Sequence, residues 1–225
     1  MPDKPKGFRF AQRYLDPASR LGEILFGVIM VLTVTLAASL TAAEGREGVR
    51  QLLWTAIGCN IAWGIIDGIM YVMGCVTIRS GQARLVHSIQ NSPDPTAKRE
   101  LVREHLEERL NSVTDPEVRE ALYQSILANV KNVKVRRVSA TKEDFLGALA
   151  CFWLVFFACL PAALPFLIFS SPDIALRVSN ALMIAMLFLI GMQWGSYAHT
   201  NRLVAALAMA GLGLALVGIA ILLGG

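Results

Sequence analysis

Residues 51–78 read QLLWTAIGCNIAWGIIDGIMYVMGCVTI, an apolar run broken by a single charge, Asp67. A helix crosses the hydrocarbon core of a bilayer in about 20 apolar residues, so this run is long enough to span. Four more stretches carry no charge at all: Ile24 to Ala43, Phe145 to Pro172, Val178 to Asn201 and Leu203 to Gly225. With 55% hydrophobic and 17% charged residues and a mean hydropathy of +0.52, the chain has more apolar surface than one soluble core could hide. The expected fold is all-α: a polytopic membrane protein of five transmembrane helices with a cytoplasmic helical hairpin insert. Its expected divisions are a cytoplasmic segment 1–22, spans one and two in 23–78, the insert 79–142, and spans three to five in 143–225.

Orientation follows from the basic residues. Five Lys and Arg precede the first span, twelve lie between the second and third, and Arg202 lies between the fourth and fifth. Only Arg46, Arg50 and Arg177 fall on the other side. Basic loops stay cytoplasmic, which places the N-terminus inside and the C-terminus on the opposite face; a cell (inner) membrane is the expected location, although the charge pattern sets only the orientation. The net charge of +4 comes largely from this inner face, where it favours anionic lipid head groups and gives no ground for nucleic-acid binding. No apolar run precedes the first span, so no cleaved leader is expected.

Helix starts are marked by an acid or hydroxyl followed by proline: Asp16-Pro17, Asp94-Pro95, Asp115-Pro116 and Ser171-Pro172. Each pair supplies an N-cap acceptor and a first-turn φ already set. The spacing predicts insert helices over 95–110 and 116–133, with Val102, Leu106, Leu110 and Val113 as one apolar stripe, and residues 79–92 as an extension of the second span. Pro161 and Pro165 interrupt the third span and predict a kink or a broken turn. Gly211, Gly213 and Gly218 predict close helix packing by the fifth span, at a subunit interface.

Asp67 is the first functional candidate. A carboxylate near the middle of a span costs at least about 2.5–3.5 kcal/mol to insert, and acids retained there face protein or a cavity. At 100° per residue, Asn60, Gly64, Asp67, Met70 or Tyr71, and Gly74 share its side of the helix. A carboxylate with a thioether suits a transition metal better than Mg²⁺ or Ca²⁺. Glu23 and Met30, with Gly27, in the first span, and Met183, Met186 and Gln193 in the fourth, are further candidates for a polar path. Asp67 bonded to a neighbouring hydroxyl or amide, and methionines as core filler, are the plain alternatives.

A second group lies in the insert. Glu100, Glu104 and Glu107 fall within about 60° of arc, Glu108 flanks them, and Glu117 and Glu120 open the next helix. Like charges at i, i+4 repel unless neutralised, either by a bound cation or by Arg99 and Arg103 on the same face. The four cysteines have no paired-ligand spacing, and no nucleophile triad, phosphate loop or zinc pattern points to an enzyme.

Five spans, a cytoplasmic helical insert after the second, and acidic and Met residues in the membrane together resemble the vacuolar iron transporter family. The carriers are Gly22-Glu23-Ile24-Leu25-Phe26-Gly27, Asp67-Gly68-Ile69-Met70 and the glutamate-rich stretch from Glu100 to Glu120. Two features depart from that family: its Asp-Gly pair sits on the first span, and its insert carries methionines, of which this chain has none between Met73 and Met183. The resemblance implies a homodimer that exports Fe²⁺ or Mn²⁺ from the cytoplasm against protons, the metal being cargo with no separate cofactor. It further implies a metal site made of Asp67, Met70, Glu23 and Met30, with metal capture by Glu100, Glu104, Glu107, Glu108, Glu117 and Glu120. A carrier for another cation, or a non-transporting sensor whose acidic hairpin binds a partner, remains the alternative.

Overall fold

The computed structural model describes residues 6–39, 45–135 and 137–222. Lys4, Arg136 and the ends of the first and fifth apolar runs, 40–43 and 223–225, lie outside the described residues. In order the elements are α1 (Lys6–Tyr14), α2 (Pro17–Ser39), α3 (Gly45–Asn91), α4 (Pro95–Leu110), α5 (Pro116–Val130), α6 (Lys142–Ala158), α7 (Leu160–Ile168), α8 (Pro172–Tyr197) and α9 (Arg202–Leu222). Five stretches are long and apolar enough to cross a membrane: Pro17–Leu36, Leu53–Asn91, Lys142–Ile168, Pro172–Tyr197 and Arg202–Ile219. The chain is thus an all-α polytopic membrane protein. It divides into two compact units, residues 1–72 with 142–225, and residues 73–141.

All four proline-marked starts become helix starts. Asp94 caps α4 through its carboxylate, which accepts from the Thr96 and Ala97 N–H groups, and Asp16 does the same for α2 from Ala18 and Ser19. Asp115 and Ser171 hold the extended N-cap backbone without a side-chain bond, so there proline alone sets the first turn.

In the first unit α2 is central, packed on α6, α8 and α9. Val28, Val31, Leu32, Leu36, Cys159, Met183 and Leu187 form its core. Met183 is fully buried and Met186 packs beside it, so both serve as apolar filler, while Gln193 faces outward. Thr35 Oγ1 lies 2.9 Å from both Leu32 O and Asn180 Oδ1, a polar link between α2 and α8.

Of the fifth span's glycines, Gly213 packs as expected, a Cβ there standing 2.7 Å from the Leu187 side chain of α8, and the closest backbone approach is made by glycines of the fourth span. A Cβ on Gly191 would meet Ala205 O at 2.6 Å and Ala206 Cα at 2.7 Å, whereas Gly211 and Gly218 have open space. Gly191 and Gly195 are four apart on one face of α8, and α9 answers with small alanines, the small-residue geometry of membrane helix pairs.

The two prolines of the third span break it. The Cys159 N–H turns back only three residues, to Phe156 O at 3.2 Å, and α7 restarts with Pro161 in its first turn. The carbonyls loosened by this break find side-chain donors from other helices. Asn60 Nδ2 donates to Val155 O at 3.1 Å, and Ser179 Oγ to Ala162 O at 2.8 Å. In lipid no water could take that role.

The second unit is built on the end of α3. Leu85, Val86 and Ile89 of α3 close a small core with Leu101, Val102, Leu106 and Leu110 of α4 and Tyr123, Ile126, Leu127 and Val130 of α5. The insert is therefore a three-helix cluster, not a hairpin with a core of its own. Val113, expected in the apolar stripe, is 72% exposed because α4 ends at Leu110.

Candidate intramembrane site

Three helices of the first unit converge on Asp67. On α3, Gly64 and Gly68 bracket it and let the α6 backbone come close: a Cβ on Gly68 would stand 3.1 Å from Ala148 O, and one on Gly64 2.9 Å from Phe152. The Tyr71 ring lies on Gly147, where any side chain would collide with it. On α2, Gly27 does the same against Val155 and Ala158. One turn before Gly27 stands Glu23, and one turn before Val155 stands Cys151. The glycine contacts therefore bring carboxylate and thiol to one level.

Glu23 faces Asp67 closely enough for the two carboxylates to repel, and the Cys151 thiol lies beside Glu23. Glu23 Oε2 and Asp67 Oδ2 are both buried and have no hydrogen-bond partner among the described residues. Two turns along α3, Asn60 is buried beside Cys159, its Oδ1 likewise without a partner. From Asp67 to the first charge after the apolar run, Arg79, is about 18 Å of helix at 1.5 Å per residue. Glu23 lies three residues after Arg20, near the start of its span, so the pair lies towards the insert-side end of the membrane helices.

Sequence periodicity placed Asp67, Asn60 and Gly64 on one face, and the structure brings them together with Glu23. It does not bring Met70: that side chain is 61% exposed, and Tyr71 occupies the inward position. Gly74 has open space around it, and Met30 is half-buried outside the core cluster. Cys151, which sequence offers only as a packing thiol of a span, is buried in a small apolar core and also borders Glu23. The signal available was its spacing of seven from Asp144, which puts it about 10 Å into the third span.

The helix α1 covers the same region. Ala11 and Leu15 are buried against Ala150 and Cys151, with Phe10, Tyr71 and Leu154 around them. The Tyr71 hydroxyl donates to Tyr14 O at 3.1 Å, and Arg20 Nη1 to Leu15 O at 2.8 Å. Beside this contact an apolar cavity of about 620 Å³ is lined by Phe10, Ile24, Trp153 and Met186. Its described walls carry no carboxylate, imidazole or thiol, and Met186 supplies the one thioether among them.

In the second unit the acids are largely engaged by arginine. Arg99 Nη2 lies 2.7 Å from Glu120 Oε2, joining α4 to α5, and Arg103 Nε lies 2.7 Å from Glu107 Oε2 and 3.8 Å, through Nη1, from Glu100. The Arg99 hydrogen bond, with that of Gln124, holds the Glu120 carboxyl below its ordinary range. Glu104, Glu108 and Glu117 are exposed. Among the described residues no three Asp, Glu, His or Cys side chains are placed to hold a metal, in the insert or in the membrane.

The sequence pattern of the VIT family matches residues 76–225, two thirds of the chain. The chain belongs to the VIT family, the vacuolar iron transporters. VIT proteins are membrane transporters of metal ions, which agrees with the five apolar spans. The VIT match begins at Val76, so it takes in the insert and the last three spans and leaves Glu23 and Asp67 outside. No curated protein matches the chain at a significant level.

Proposed function

We propose that this chain exports Fe²⁺ or Mn²⁺ from the cytoplasm in exchange for protons, with Glu23 and Asp67 as the carboxylates that carry the ion through the membrane. The observation behind this reading is the meeting of two acids from different membrane helices, each with a buried oxygen lacking a partner among the described residues. Two ionised carboxylates in low dielectric require positive charge beside them. One divalent ion or two protons supply the same charge, so exchanging one for the other leaves the buried site electrically balanced.

The two carboxylates suit a divalent cargo in kind. Carboxylate oxygen binds divalent first-row ions, and Cys151, a neutral thiol in this charge balance, adds no strong sulfur ligand. Water, or groups beyond the described residues, would complete the coordination. The insert's acids are not proposed as a preformed ligand set, because Arg99 and Arg103 already hold three of them. The homodimer implied by the family likeness is kept as part of the proposal. An exposed apolar row on α3, with Trp54, Ile65, Ile69 and Met70, is available for lipid or a second copy.

Flux of Fe²⁺ and Mn²⁺ into proteoliposomes, with and without a pH gradient, tests the reading. Asp67→Asn and Glu23→Gln should each reduce flux to the protein-free level while the purified proteins stay monodisperse. Cys151→Ser should retain flux. Undiminished flux in Asp67→Asn would remove the carboxylate pair from the mechanism.

A further inference from the structure

The second unit carries a cationic cleft that metal transport does not use. After α5 the chain runs without regular structure over 133–135 and 137–140, back along α3. Two contacts hold it there: Gln90 Nε2 donates to Val130 O at 2.8 Å and Val133 O at 2.7 Å, and Arg79 Nη2 donates to Ser139 O at 3.2 Å. Between the end of α3 and this segment lies a cleft of about 790 Å³, lined by His87, Gln90, Asn91, Lys131 and Lys134 with Val133 and Val135. Asn91 contacts the His87 ring one turn earlier, so the two polar side chains stand side by side.

The charge in the cleft is unbalanced. No acid lines it, and among the described residues neither Lys131 nor Lys134 has an ion pair. From Lys131 to Lys142 the sequence holds five basic residues and no acid. Two ammonium groups, an imidazole and an amide around an open cleft form a donor-rich site for a tetrahedral oxyanion.

Position along α3 decides between two sources of phosphate. His87 and Asn91 lie eight and twelve residues beyond Arg79, where the uncharged run ends, or about 12–18 Å along the helix. The head-group layer on one side of a bilayer is only about 5–8 Å thick. The cleft lies beyond the end of the uncharged run by more than that thickness of helix, which favours a dissolved phosphate over a lipid one. We propose that His87, Asn91, Lys131 and Lys134 bind the phosphate group of a soluble phosphate-bearing anion on the insert side of the membrane.

The test is calorimetric titration of inorganic phosphate and of pyrophosphate into the full chain, held in nanodiscs of phosphatidylcholine or of phosphatidylglycerol. Saturable binding is expected in both lipids, at least about tenfold weaker in Lys131→Gln/Lys134→Gln and restored in Lys131→Arg/Lys134→Arg. Both lysines are exposed, and monodispersity with unchanged helical circular dichroism verifies that each variant folds. Binding in phosphatidylcholine that disappears in phosphatidylglycerol would assign the site to lipid head groups and overturn the soluble ligand. No saturable heat with either anion, or equal heat in the glutamine variant, would overturn the site itself.

Discussion

Adding one methyl at Gly27 tests the packing that sets the carboxylate pair. An alanine Cβ there would stand 2.7 Å from Ala158 Cβ and 2.8 Å from Val155 O, neither of which can rotate away. Ordinary contact begins near 3.4 Å, so α2 and α6 must part by about 0.7 Å at this level. Overpacking of this kind costs about 1–3 kcal/mol, offset by a Gly-to-Ala gain in helix propensity of up to about 1 kcal/mol. Gly22, on the same helix, is the matched control, because a Cβ there meets nothing within 4 Å and keeps only the gain. The difference in stability between Gly27→Ala and Gly22→Ala should therefore be about 1–3 kcal/mol, read by reversible unfolding in mixed micelles. Glu23 is one turn from the forced gap, so metal flux per folded molecule should also fall in Gly27→Ala and not in Gly22→Ala. Equal stability and equal flux in the two variants would refute the claim that this glycine sets the spacing of α2 and α6 at the site.

Gly191→Ala should destabilise the α8–α9 pair by about 1–3 kcal/mol, since its contacts are all backbone, while Gly218→Ala, in open space, should be neutral or mildly stabilising in the same unfolding assay. Asn60→Leu removes the donor to Val155 O at the break in the third span and should cost about 1–3 kcal/mol, which an unchanged unfolding midpoint would contradict. Glu120 is held below its ordinary range in the fold, so the Arg99–Glu120 tie contributes above the usual Glu titration range and is lost as pH falls through the lowered value. Hydrogen exchange in α4 and α5 should then differ between wild type and Glu120→Gln at neutral pH and converge in acid.

Much of the fold is local and could be read directly. The apolar runs mark the spans because lipid demands them residue by residue. The Asp-Pro and Ser-Pro pairs mark helix starts because a cap acceptor and a preset φ act within one turn. Pro161 and Pro165 mark the broken third span because a missing N–H is a property of the residue itself. The insert's stripe was read correctly up to Leu110 and failed at Val113, where helix end and loop geometry take over from periodicity.

The site was only half legible. A single buried acid announces itself in sequence by its cost, and so Asp67 stood out, whereas Glu23, at the edge of its span, was a candidate only for a polar path beside it. Their meeting, the inclusion of Cys151, and the replacement of Met70 by Tyr71 were decided by tertiary structure. At 100° per residue, positions 70 and 71 lie on either side of the face, and only the helix that packs there selects one. That selection rests on Gly27, Gly64 and Gly68, where the absence of a side chain lets helix backbones approach, and on Gly147, where it makes room for the Tyr71 ring. The acids of the insert show the same division: sequence counts them, but which of them meet arginine depends on how α4 and α5 lie together.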